Sequence, residues 1–79
     1  MISSPVLRRA KMILEARIGE YWKMQGEPPS SNPVDQQRRA TYLNEINRAG
    51  QRSLRDYRVL GGTDADLDDP ERLPESFKG

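Results

Sequence analysis

The chain has 79 residues, no cysteine, no histidine, and 13 Lys and Arg against 12 Asp and Glu, for a formal charge of +1. That length allows at most one small domain, and 34% apolar against 32% charged residues leaves too little apolar surface for a large closed core, with no cysteine or zinc-ligand set to staple a small one. The near-neutral total argues against plain polyanion binding, no apolar run approaches the roughly 18 residues of a membrane span, and Ile2-Ser3-Ser4-Pro5 leads into no secretory apolar stretch; the expected setting is the cytoplasm or a soluble assembly such as a virion.

The first predicted element is a helix over about 5–25. Ser4 is placed to cap it, Pro5 fits the first helical position where its missing N–H costs nothing, and Gly26 stands where a left-handed C-terminal residue is wanted. At 100° per residue, Val6, Leu7, Ala10, Ile13, Leu14, Ile18, Tyr21, Trp22 and Met24 fall within one arc of roughly 180°. Lys11 and Arg17 lie in or beside that arc, so their methylene stems are expected along the apolar face with the charges at its rim.

Residues 26–32, rich in proline and serine, read as a stiff linker. Asn32 then caps, Pro33 starts a second helix, and Asp35 faces its positive end. Leu43, Ile46, Gly50, Ser53 or Leu54, Tyr57 and Leu60 keep a 3–4 spacing straight through the glycine, so one helix is expected from about Pro33 to Val59 or Leu60, stopped by Gly61-Gly62. Gly50 then sits on the buried stripe, at about 1 kcal/mol of helix propensity, where a neighbouring helix can approach closely; a kink or break there is the alternative.

Residues 63–79 carry six acids and two bases, a net of −4, whereas residues 1–62 carry eleven bases and six acids, a net of +5. Pro70 and Pro74 exclude a regular helix, so an extended or irregular acidic tail is expected. The fold class is therefore all-α: an antiparallel hairpin of helices over about 5–25 and 33–60 within residues 1–62, followed by an extended acidic arm.

Lengths of roughly 31 Å and roughly 42 Å leave the second helix overhanging, with Tyr57 and Leu60 near the start of the first helix, where Met1 and Ile2 are placed to cover them. The wider mismatch is that one narrow stripe cannot cover a half-cylinder of apolar surface. Burying three or four side chains such as Ile13, Ile18, Trp22 and Met24 elsewhere would release on the order of 6–10 kcal/mol before association costs, the signature of an interface.

Candidate interface residues are Ile13, Ile18, Tyr21, Trp22 and Met24 on the first helix, with Leu73 and Phe77 as pocket-filling residues of the arm. The bland alternatives are that Tyr21 and Trp22 cap the hairpin core against Pro28-Pro29 and that the tail is plain solvated terminus. Arg48, Arg52, Arg55 and, at its edge, Arg58 form a candidate basic face able to track phosphates, although Glu45 and Asp56 stand at ion-pairing distance along the helix and the tail's acids can lie on the same face. Asp64-x-Asp66-x-Asp68 with Glu75 copies the acidic spacing of a calcium loop but fails where Asp69, Pro70 and Arg72 occupy strict positions. No catalytic residue, metal or cofactor is assigned, since there is no Cys, His, phosphate loop or paired general base.

The function expected is a non-enzymatic interaction or structural protein docking on itself or on a larger assembly, as an oligomer or complex subunit. In general design it resembles small accessory proteins that occupy another protein's surface, such as minor virion components and phage-encoded inhibitors. The competing expectation is a basic-helix nucleic-acid regulator whose acidic tail competes for its Arg face.

Overall fold

A computed structural model describes residues 5–79. Two α-helices, α1 (Pro5–Gln25) and α2 (Pro33–Val59), run antiparallel, and three short 3-10 turns follow at Asp64–Asp66, Pro70–Arg72 and Glu75–Lys78. The hairpin is elongated, 50 × 19 × 18 Å, as helices of 21 and 27 residues require. The caps foreseen at Ser4 and the cover from Met1 and Ile2 lie outside the described residues.

The start of α2 is fixed as its sequence demands. Asn32 Oδ1 accepts from the Val34 N–H at 2.9 Å, and Ser30 ties the linker down through bonds to Asn32, Asp35 and Gln36. Helix α2 passes unbroken through Gly50. It ends in a two-bond closure, the Gly61 N–H to the Arg58 carbonyl at 3.0 Å and the Gly62 N–H to the Tyr57 carbonyl at 2.9 Å, with Gly61 at a φ of +100° that side chains disfavour. The end of α1 differs from expectation. Gly26 is not left-handed; the Arg39 guanidinium instead reaches across to the carbonyls of Met24, Glu27 and Pro28. The helix end is closed by the Gly26 N–H on the Trp22 carbonyl at 3.0 Å and the Glu27 N–H on the Met24 carbonyl at 3.3 Å, and the Arg39 fork adds a donor to Met24 while holding the linker that follows.

The tail is not an extended arm. It turns back along the hairpin in its three 3-10 turns and places Leu67, Leu73 and Phe77 in one core with Leu14, Ile18, Ile46, Leu54 and Tyr57. The apolar excess of α1 is met largely by the chain's own last residues, with Leu67, Leu73 and Phe77 buried in the same core as Leu14 and Ile18, and Pro70 and Pro74 keep that segment in short turns. Gly50 does allow a close approach, but by a side chain: the Phe77 ring lies where a Cβ of residue 50 would stand. At the other end the Tyr57 ring packs on Gly62, and its hydroxyl donates to the Thr63 carbonyl at 2.8 Å.

Candidate protein-docking site

Two antiparallel helices enclose a groove on each flank, and here the flanks differ. The tail fills one. Asp64 pairs with Arg58 at 2.8 Å and Asp68 with Lys11 at 3.3 Å, one contact on each helix, while the Asp68 N–H donates to Glu15 and Gln51 donates to the Ser76 carbonyl. These pairs join the basic body to the acidic tail as the charge division of the sequence implies. Arg58 holds the Asp64 carboxyl below its ordinary value by hydrogen bonding, and the same bond raises the Arg58 guanidinium. Burial is the main cause that pushes the Tyr57 hydroxyl up.

Among the described residues nothing covers the opposite flank. Val6, Ala10 and Ile13 of α1 face Ser53, Asp56, Val59 and Leu60 at the end of α2 across a groove of about 360 Å³, with Arg9 on its rim. Val6 is 58%, Ile13 45%, Val59 79% and Leu60 38% exposed. Such residues gathered along one groove differ from the scattered apolar surface every protein carries.

The foreseen interface residues divide. Ile18, Leu73 and Phe77 are buried in the chain's own core and are corrected from interface to core. Tyr21 and Met24 pack partly buried against the same core, the Tyr21 ring meeting Phe77 edge-on at 5.7 Å. Trp22 remains 37% exposed. It lies against the tail instead of the linker prolines, with Nε1 donating to the Arg72 carbonyl at 2.6 Å and the Arg72 guanidinium 5.6 Å from its ring centre. Ile13 lines the open groove at the start of α1, and Met24 lines a second recess beside the linker. The tail engages Arg58 alone of the basic face; Arg48, Arg52 and Arg55 are exposed and make no ion pair among the described residues, so the foreseen local pairs with Glu45 and Asp56 do not form. The calcium-like acids are likewise dispersed, Asp64 to Arg58, Asp68 to Lys11 and Glu75 to Lys78, and the described residues contain no group of acids placed to hold a metal ion. No described helix is long and apolar enough to cross a membrane.

Sequence reasoning placed Leu60 near the start of α1 but missed Arg9, Asp56 and Val59 as neighbours of Ile13. The signal was present: in an antiparallel pair each step along one helix is a step back along the other, so Val6 level with Leu60 brings Ile13 level with Ser53. No protein-family model matches the chain, and no curated protein or solved structure matches it at a significant level.

Proposed function

We propose that the chain is a non-enzymatic protein-interaction module that docks through the groove between the start of α1 and the end of α2. The observation that carries this reading is the partition of the apolar residues: most are consumed in a core shared with the tail, and Ile13, Val59 and Leu60 are left together on one flank. By design alone it would act as small accessory proteins do, occupying another protein's surface in the cytoplasm or within a soluble assembly such as a virion. A photo-crosslinking residue at position 13, compared with one at position 55 on the outer face, tests it in cells of the native host. Protein adducts from position 13 and not from 55 are expected; equal labelling, or none from 13, overturns the reading.

A second reading, nucleic-acid binding by the outer face of α2, is favoured by the exposure of Arg48, Arg52 and Arg55, which make no ion pair among the described residues. It requires low-salt binding of a labelled duplex or single strand that is lost on reversing those three charges. The docking reading expects no such binding.

A further inference from the structure

We infer that the occupant of the open groove is a second copy of this chain, related by a two-fold axis parallel to the hairpin, so that α1 of each copy lies against α2 of the other. The inference rests on the docking reading and names its partner. Its first support is the sign of the rim. Arg9 stands on the α1 side of the groove and Asp56 on the α2 side, and neither makes an ion pair among the described residues. A rim with one charge of each sign, one from each helix, suits an isologous partner, because rotation about an axis along the helices carries Arg9 of one copy to Asp56 of the other and makes the pair twice. A uniformly acidic or basic peptide would meet a like charge on one side.

The second support is the residue spacing around the groove. Val6, Arg9, Ile13 and Ala16 follow one another at intervals of three and four on α1, and Ala49, Ser53, Asp56 and Leu60 do the same on α2. Two such series are what a knobs-into-holes seam between helices requires, with Ala16 and Ala49 small enough for close approach beyond the groove. In the inferred dimer each α1 runs antiparallel to the α2 it meets, as it does within its own hairpin, so helix dipoles oppose at every neighbour of the resulting four-helix bundle.

Sedimentation equilibrium of the full chain over a wide concentration range is the test. A reversible rise from the 9.0 kDa monomer to twice that mass is expected. Ile13→Asp should abolish it with far-UV ellipticity retained and with the melting temperature that the unsubstituted chain shows at concentrations where it is monomeric, since Ile13 is half exposed in the monomer. Arg9→Glu and Asp56→Arg should each weaken the dimer roughly tenfold, as two exposed ion pairs are lost in each case, and the double variant should return it to within about threefold. A chain that stays monomeric into the millimolar range, or a double variant weaker than both singles, overturns the inference. If a monomeric chain still crosslinks from position 13 to a different protein, self-docking is overturned and the docking reading stands; if it crosslinks to nothing, both fall.

Discussion

The two flanks of the hairpin are lined by the same two helices and have opposite fates. On the tail side, Ile18, Leu54 and Tyr57 lie beneath Leu67, Leu73 and Phe77 and are excluded from water. On the other side, Ile13 and Leu60 stand at the same kind of helical position and remain open. Helical periodicity marks a residue as wanting cover; it does not say what provides the cover. Here the chain's own last seventeen residues provide it on one flank, and the acids that seemed to mark those residues as a solvated arm instead dock at Arg58 and Lys11 on their edges.

The largest effect that can break this contrast is at Phe77. Phe77→Ala should cost about 3–5 kcal/mol, as aromatic truncations in a packed core do, which in a chain this small leaves little folded population at 37 °C. Urea unfolding followed by ellipticity measures it. Ile13→Ala, across the hairpin, should stay within about 1 kcal/mol under conditions where the chain is monomeric. Equal losses at both sites would mean that the tail is not part of the core.

Gly50 sharpens the same contrast. Gly50→Ala gains about 1 kcal/mol of helix propensity but drives a methyl group into the Phe77 ring, an overpacking cost of about 1–3 kcal/mol or more. Net destabilisation of about 1 kcal/mol is expected. In a Phe77→Ala background the clash is gone and the same substitution should stabilise, so the sign of the Gly50→Ala effect reports whether the ring is in place.

The sequence revealed the helices but not the fate of the tail, for a physical reason. Both helix starts have proline, α2 has its Asn32 cap and glycine stop, and the stripe through Gly50 identifies one unbroken helix. Leu67, Leu73 and Phe77 carry no such signal: 3-10 turns this short have no sustained period, and six acids among seventeen residues dominate any compositional reading. The site was half visible. Ile13 stood out by its phase and Leu60 by its place on the α2 stripe near the start of α1, whereas Val59, off that stripe, carried no such signal.

A smaller effect separates the tail's attachment from its burial. Trp22→Phe keeps most of the apolar ring but removes the donor to the Arg72 carbonyl. Because that carbonyl is exposed enough to take water in exchange, the loss should fall near the lower end of the usual 0.5–1.5 kcal/mol. Thermal unfolding followed by ellipticity measures it, and a loss several times larger would mean that Trp22 belongs energetically to the core.

The smallest effect is at the rim, and its sign follows from the pair's titration. Asp64 accepts from Arg58 Nε at 3.2 Å and from a terminal guanidinium nitrogen at 2.8 Å, and that hydrogen bonding lowers its carboxyl from 3.8 in the folded chain. The folded state therefore binds this proton more weakly than the unfolded state, so the pair's contribution is complete above the unfolded value and is lost as pH falls through the lowered folded one. Both side chains are more than a third exposed, so its worth is that of a surface pair, about 0.2–1 kcal/mol. Tyr57 runs the other way. Burial raises its hydroxyl above 10.0, so the stability it contributes is present below pH 10.0 and is lost as pH rises through the raised value. Unfolding free energies measured against pH should lose part of their acid slope in both Asp64→Asn and Arg58→Gln with the alkaline slope intact. An acid slope unchanged in both variants would mean that the tail is held by its apolar residues alone.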